Sequence, residues 1–473
     1  MKQIVELFEK WACEPHVDIQ QLPLSGSQRT YYRINSKTKT ALGAYNKDKK
    51  ENFAFIQFSR FFKEKNMPVP HIYAFDDNQD CYLLQDLGNT TLFQWLSTSR
   101  NKNIIPDDII SFYKSVIQWL IKFQIVGKCI DLSATYPRAK FDKQSMMWDL
   151  QYFKYYFLKL GQISFDEQLL ENDFELFTDY LLETDTDYFL YRDFQSRNIM
   201  VVENKPFFID YQGGRMGALQ YDIASLLYDA KADLPPEIRC ELLDYYIAEL
   251  QKKINIDEAK FKKYYYGYVL IRIMQAMGAY GFRGFYEKKE HFLKSIPFAL
   301  KNLESILNNH FFINEFSELK NVLSGVISSK FLKEIENHTE LCVSIKSFSY
   351  KRGIPADTSK HGGGFVFDCR LLPNPGRNVE YKTQTGKDKE VKEYFEKEQE
   401  VKAFLGNVFT IISQAVEKYL KNGYNSLSVN FGCTGGRHRS VYSAEQLAEF
   451  LRKKYAIRIK INHIEMEIVE SVR

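Results

Sequence analysis

Between Tyr191 and Gly214 the chain reads YRDFQSRNIMVVENKPFFIDYQGG, and this stretch constrains the fold more than any other. Ile199-Met200-Val201-Val202 and Phe207-Phe208-Ile209 are short apolar runs that read as buried strands of a hairpin. Three polar residues stand at their ends: Asp193 and Asn198 before the hairpin, Asp210 after it. Phosphoryl transfer needs a carboxylate within hydrogen-bond reach of the acceptor hydroxyl. It also needs hard oxygen ligands for magnesium on the nucleotide phosphates. Asp193 fits the first role, and Asn198 and Asp210 the second; Asp-x-x-x-x-Asn is also the spacing of a kinase catalytic loop. The plainer alternative is a hairpin in which Asp193 and Asn198 only cap turns. All three together, in strand-hairpin-strand context, favour a phosphotransferase site.

The wording RDFQSRNIM…FIDYQGG, with Gln212 in place of the Phe-Gly of protein kinases, resembles the aminoglycoside-phosphotransferase and choline-kinase superfamily. It looks most like the bacterial branch that phosphorylates cell-wall amino sugars at the anomeric hydroxyl. Tyr221-Asp222-Ile223-Ala224 matches a further hallmark of that family, an Asp that braces the catalytic loop from below. The resemblance covers about the first 310 residues. It implies a bilobal α+β protein-kinase-like fold, ATP and Mg2+ as cofactors, and an amino sugar such as N-acetylmuramate or N-acetylglucosamine as acceptor.

At 473 residues, two or three domains are expected, each large enough for its own core. No run approaches 20 uninterrupted apolar residues, so no membrane-spanning helix is expected. The start, MKQIVELFEKWA, interrupts its apolar residues with Glu6 and Glu9, as an amphipathic helix does and a signal peptide does not. Seven scattered cysteines without a CxxC pair read as reduced thiols of a cytoplasmic protein with no zinc site. From His338 on there are 22 Lys+Arg against 16 Asp+Glu, of 64 and 60 in the whole chain, so the basic excess belongs to the C-terminal part.

Ahead of the catalytic block, Ser25-Gly26-Ser27 lies between an apolar segment and the strand ending at Ile34. A Gly between small hydroxyl residues is a common turn. Here it also suits backbone N–H groups laid over nucleotide phosphates, and it matches the family's phosphate-covering loop. No Val-Ala-Ile-Lys follows: Ala44-Tyr45-Asn46 stands where the strand lysine is expected, and the phosphate-contacting cation stays unassigned. Helices are expected over 52–65, 109–126, 145–159, 166–182, 236–253, 257–280 and 291–308, and strands over 72–75 and 81–85. By family resemblance Gln85, Asp86 and Leu87 form the hinge that grips adenine. The break Gly281-Phe-Arg-Gly284, with Gln275, Tyr280, Arg283 and Tyr286 nearby, faces the acceptor or is a simple helix–helix turn.

The expected division is a kinase-like domain over 1–312, a helical linker over 313–337 and a small α/β domain over 338–473. In the last, strand alternates with helix, which implies partly parallel strands. Its chemistry concentrates at Gly432-Cys-Thr-Gly-Gly-Arg-His-Arg439, between a strand and a helix. Such a turn is an anion site by its N–H groups and helix dipole. It lacks the Walker pattern, whereas Cys433 and Arg439 have the spacing of a phosphatase loop with Cys433 as nucleophile. SYKRGIP, FVFDCRLLPNP, TGKDKEV and GCTGGRHRSVYSAEQLAEF resemble the C-terminal domain of RapZ, an adaptor that senses glucosamine-6-phosphate and presents a small RNA for cleavage. The resemblance implies a sugar-phosphate site lined by Lys351, Arg370, Thr434, Gly435, Gly436, His438, Arg439 and Ser440. The strongly basic tail of that adaptor is absent, which counts against an RNA partner. Two functions follow as expectations: an amino-sugar kinase of cell-wall recycling with a sugar-phosphate-sensing domain, or an RNA-binding regulator with a degenerate kinase-like nucleotide sensor.

Overall fold

β-Branched and aromatic residues favour pleated strands over Thr30–Asn35 and Cys81–Leu84. The computed structural model, which describes all residues except 1, 24–28, 77, 79, 101–103, 340, 357–363, 423 and 473, places them in a five-stranded antiparallel sheet. Its order is β1 (Asp18–Gln21), β2 (Thr30–Asn35), β3 (Thr40–Tyr45), β5 (Cys81–Leu84), β4 (Ile72–Phe75). Helix α1 (Lys2–Ala12) lays Ile4, Phe8 and Ala12, one turn apart, against Ile34, Ala41 and Leu83. Fully burying Ile4 and Phe8 stabilises this packing by about 1.5–3 kcal/mol each. Helix α2 (Lys49–Glu64) begins three residues before the expected 52 because the Asp48 carboxylate accepts the N–H groups of Lys50 and Glu51.

The helical part of the first unit comprises α3 (Leu92–Ser99), α4 (Asp107–Val126), α5 (Lys143–Phe153), α6 (Glu167–Leu182), α7 (Leu219–Leu227), α8 (Pro236–Gln251), α9 (Glu258–Tyr280), α10 (Glu290–Leu293), α11 (Ile296–Asn309) and α12 (Ser317–Ser328). Two short antiparallel pairs lie among them: β6 (Tyr188–Leu190) with β9 (Arg215–Gly217), and between these in the chain the hairpin of β7 (Ile199–Val202) with β8 (Lys205–Phe208). Helix α9 is apolar on nearly every side and forms the centre, packed by α5, α7 and α11. Among the described residues, Asp107–Cys129 is by length and composition apolar enough to cross a membrane, though polar residues interrupt it, and half of its most apolar 18-residue window is buried within the fold.

Helices α5 and α9 both run on into π turns, Lys154–Leu158 and Gly281–Tyr286. The two turns pack on one another: a Cβ on Gly281 would overlap the Tyr156 carbonyl, and the Phe282 ring lies edge-on to Tyr156 at 4.9 Å. The Gly281–Gly284 break is therefore a widened helical turn. Arg283 there pairs with Glu287 at 2.8 Å, and Tyr286 is exposed.

The stretch expected to be a linker is in large part packed on the first unit. The Asp173 carboxylate accepts the Leu319 N–H at 2.8 Å, and Glu318 accepts that of Asp166 at 2.9 Å. The boundary between the two compact units falls at Leu332/Lys333, inside helix α13 (Lys330–Thr339), rather than spreading over 313–337.

The second unit has the sheet order β11 (Phe365–Asp368), β12 (Ser426–Cys433), β10 (Cys342–Ser349), β13 (Arg458–His463), β14 (Ile468–Val472). The first four strands are parallel and β14 is antiparallel, in agreement with the partly parallel sheet expected. Helices α14 (Lys389–Lys397), α15 (Gln399–Asn422) and α16 (Arg439–Lys454) complete it. Its core gathers Val343 and Ile345 of β10, Val429 and Phe431 of β12, and Leu447 and Leu451 of α16. Beside it, buried His463 bonds Ser347 Oγ at 2.8 Å and Glu445 at 2.9 Å, and Lys387 pairs with Glu445 at 3.1 Å and Glu470 at 2.6 Å. His463 and Lys387 hold the Glu445 carboxyl down at about 2, against 4.5 ordinarily. A depressed carboxylate stabilises the fold above its unfolded value and loses that contribution as pH falls through the folded one. Glu445→Gln is expected to destabilise this unit at pH 7 by on the order of 2–3 kcal/mol. The difference from wild type should shrink as pH drops from about 4.5 toward 2. Hydrogen exchange of the β12 and β13 amides measures it, and a pH-independent difference would refute the linkage.

Candidate functional site

Strand β6 delivers Tyr191, Arg192 and Asp193 to an irregular loop whose backbone needs acceptors. Asp222, fully buried on α7, supplies them: its carboxylate accepts the N–H groups of Tyr191 at 2.7 Å and Arg192 at 3.0 Å. Burial pushes this carboxyl up to about 7 even though the two N–H groups pull it down. Arg192 takes a positive φ of 82° and directs its guanidinium to both Asp149 oxygens on α5, at 2.6 and 2.7 Å. Held from both sides, Asp193 presents a carboxylate that is 39% exposed, with Arg272 Nη2 of α9 at 3.7 Å. Arg272 is itself fixed by Ser225 Oγ at 3.0 Å and by Gln275. Next to it a cavity of about 30 Å³ is lined by Gln195, Ser225, Asp229, Arg272 and Tyr280.

The β7–β8 pairing of Ile199 with Phe208 sets Asn198 beside Asp210. Asn198 Nδ2 donates to Asp210 Oδ2 at 3.1 Å and to the Asp193 carbonyl at 2.9 Å, so the three residues named from the sequence share one site. Asp210 has φ 71°, a backbone conformation that favours short polar residues and glycine. Burial and the nearby Asp193 charge push its carboxyl above the usual carboxylate range. Tyr211 stacks on Phe55 of α2 at 5.1 Å and bonds Ser59 Oγ at 2.5 Å. Gln212 Nε2 bridges Asp210 Oδ1 at 2.9 Å and Glu51 Oε1 at 3.1 Å. Glu51, in the first turn of α2, also pairs with Arg29 at 3.1 Å and accepts Asn46 Nδ2 at 2.7 Å. Sequence reasoning missed Arg29, Glu51, Asp149 and Arg272. An acidic residue in the first turn after β3 was the one signal for Glu51.

In the segment expected to be the hinge, Gln85 donates its backbone N–H to His71 O at 2.8 Å, which makes it the end of the sheet. Asp86 is clamped by Arg33 of β2 at 2.5 and 2.9 Å and accepts the Gly88 N–H, so its carboxylate shapes this turn. Leu87 is buried beside it. Ser25, Gly26 and Ser27 lie outside the described residues. Among the described residues, no group of three or more His, Cys, Asp or Glu side chains is placed to hold a metal. An Asp–Asn pair suits magnesium on a nucleotide, which takes its remaining ligands from phosphates and water. The facing Asp193 and Asp210 charges are the repulsion such a cation relieves.

In the second unit the loop after β12 closes on Cys433, whose buried Sγ accepts the Gly436 N–H at 3.2 Å and bonds Ser440 Oγ at 3.1 Å. Gly436 has φ 66°, and a Cβ there would overlap Glu465, so glycine is required. Thr434 and Gly435 form the exposed crest, and a Cβ on Gly435 would meet nothing. Arg439 is buried and directed inward: it donates to the carbonyls of Arg370 at 3.0 Å and Leu372 at 3.2 Å and to Thr434 Oγ1 at 3.3 Å. It is a strut between the 369–372 turn and the loop. Ser440 is fully buried against Cys433. His438 Nε2 bonds the Tyr381 carbonyl at 2.9 Å. Arg370 is exposed, forks onto Asp368 and lies 4.0 Å over the Tyr350 ring. Lys351 is exposed beside Ser349, which donates to the Thr434 carbonyl at 2.7 Å.

A sheet lobe and a helical lobe, with Asp193, Asn198 and Asp210 gathered at strand ends, make a kinase-like fold. The chain belongs to the phosphotransferase enzyme family, whose model matches residues 18–261, and it carries a RapZ C-terminal domain over residues 341–467. A nucleotide-binding protein of Thermotoga neapolitana is 45% identical over 114 residues, 24% of this chain and 39% of that protein. One from Acidobacterium capsulatum is 35% identical over 180 residues, 38% of this chain and 56% of that protein. The chain thus spans only part of the length of these curated relatives. Solved structures with a similar fold include choline kinase from Cryptosporidium parvum Iowa II (TM-score 0.43, 12% identity, 65% of this chain and 93% of that one). ADP-bound aminoglycoside phosphotransferase APH(2'')-Ib is another (TM-score 0.42, 15% identity, 63% and 97%).

Proposed function

We propose that the first unit is an ATP- and magnesium-dependent kinase that phosphorylates a hydroxyl of a cell-wall amino sugar, of the N-acetylmuramate or N-acetylglucosamine type, at the anomeric position. The observation that carries the reading is the convergence of Asp193, Asn198 and Asp210 on one braced site. Asp193 accepts the proton of the acceptor hydroxyl as its oxygen bonds to the γ-phosphorus; the β–γ bridging P–O bond breaks and ADP departs with those electrons. Asn198, its amide nitrogen engaged by Asp193 O and Asp210, would offer Oδ1, and Asp210 its carboxylate, to a magnesium ion, which would supply charge neutralisation at the phosphates. Arg272 orients the Asp193 carboxylate. Incubating the protein with ATP and a panel of free sugars, and weighing the products by mass spectrometry, tests the reading. Nucleotide binding without any phosphorylated sugar would favour a sensor.

The second unit is proposed to bind a sugar phosphate, glucosamine-6-phosphate or a close relative, on the exposed crest at Thr434 and Gly435. With Arg439 engaged by backbone carbonyls, the exposed Lys351 and Arg370 are left as the proposed source of positive charge for the phosphate. Gly435→Val is expected to weaken binding at least ~10-fold by filling the approach to the N–H groups while leaving the fold intact. Calorimetry with glucosamine-6-phosphate reads this, and unchanged affinity would refute it. Release of inorganic phosphate that Cys433→Ser abolishes would instead identify a phosphatase.

A further inference from the structure

The kinase reading leaves one chemical requirement without a residue. Protein kinases place a lysine on the third strand, paired to a glutamate of the following helix, where it holds the α- and β-phosphates. Here β3 ends Ala44-Tyr45-Asn46, and Asn46 is too short and carries no charge. Its buried amide instead donates to Glu51 Oε2 at 2.7 Å.

The glutamate nevertheless has a cationic partner, from the neighbouring strand. Thr30 pairs with Tyr45 in the β2–β3 ladder, so Arg29, one residue earlier, runs alongside Asn46. Its Nη2 lies 3.1 Å from Glu51 Oε1, and Nη1 donates to Tyr31 OH at 3.3 Å. The residue is only 3% exposed, and its guanidinium lies 5.8 Å from the centroid of the Phe55 ring. Glu51 Oε1 also accepts Gln212 Nε2, which donates in turn to Asp210. A buried cation is thus tied through one carboxylate and one amide to the acidic residue read as the metal ligand. An ion pair buried this deeply is costly to build, and a hydrophobic pair of the same volume would often stabilise the fold as well. Its placement therefore calls for a purpose besides stability.

We propose that Arg29 is the phosphate-binding cation of the nucleotide site, doing from β2 what the strand lysine does from β3 in protein kinases. This rests on the kinase reading. A guanidinium has donors on more than one edge, so it can keep Glu51 on one edge and bond phosphate oxygens with another. Glu51 then sets the orientation of the fork, and Asn46 and Gln212 set that of Glu51.

The test compares adenosine, ADP and ATP, the last two with magnesium, by calorimetry on the full chain. Arg29→Met is expected to weaken both phosphorylated nucleotides by about 10- to 100-fold, as loss of a charge-assisted contact does, while adenosine affinity stays within about 3-fold. Asn46→Lys added to Arg29→Met should restore part of the phosphate affinity, which a purely structural role for Arg29 does not predict. Where the Met variant fails to fold, Arg29→Gln keeps a hydrogen bond to Glu51 without the charge and is held to the same criterion. Unchanged ATP affinity, or equal loss for adenosine and ATP, overturns the assignment. Wild-type protein that binds no ATP overturns the kinase reading with it.

Discussion

Asp193→Asn will lower kcat at least ~100-fold while leaving the KM for ATP nearly unchanged, because a positioned acid–base group of this kind contributes about 10²–10⁴ to rate. The substitution is isosteric and removes only the ability to take the acceptor proton. The loop does not depend on that carboxylate for its shape, since Asp222 holds the backbone N–H groups and Asp149 holds Arg192. Asp193 is also 39% exposed, and its Arg272 neighbour keeps Ser225 and Gln275 as partners. Melting temperature should therefore stay within a few degrees of wild type. Turnover near wild type in a folded variant would remove Asp193 from the chemistry.

Asp210→Ala is expected to abolish turnover and the dependence of nucleotide binding on magnesium, with little loss of stability. The carboxylate accepts from Asn198 and Gln212, but burial and the Asp193 charge make it an expensive group to keep ionised in the absence of a cation. Deleting it relieves that repulsion and offsets part of the cost of the two lost hydrogen bonds, each worth about 0.5–1.5 kcal/mol net. Some backbone cost remains, because alanine suits φ 71° less well than aspartate does. Calorimetric titration of ATP with and without magnesium separates the effects. Magnesium dependence retained in the variant would transfer the metal to other ligands.

That Asp193, Asn198 and Asp210 come together was legible because each stands at the end of an apolar run too short to be anything but a buried strand, which fixes position and direction together. Asp222 was legible only through the family wording Tyr221-Asp222-Ile223-Ala224, and the structure puts it on the apolar helix Leu219–Leu227 with its carboxylate on the Tyr191 and Arg192 N–H groups. Arg29 was not, because its pairing with Glu51 depends on the lateral register of β2 against β3. The inward turn of Arg439 was hidden in the same way. Its acceptors are main-chain carbonyls of residues 370 and 372, and every residue type offers those. Apolar spacing marked a break at Gly281–Gly284 without its widened turn and gave no sign of the one at Lys154–Leu158, since one added residue in a helix leaves composition unchanged.

Those two π turns bear on how the chain tolerates insertion and deletion. One residue corresponds to about 100° of rotation in a helix, so excising a residue from Gly281–Tyr286 would swing everything after it around the axis. The Gly281 backbone that now meets Tyr156 would be carried off the surface it fits, and the bulge at Lys154–Leu158 would face a mismatched neighbour. Length changes in the two helices are therefore tolerated only in tandem, and relatives that lack one widened turn should lack the other.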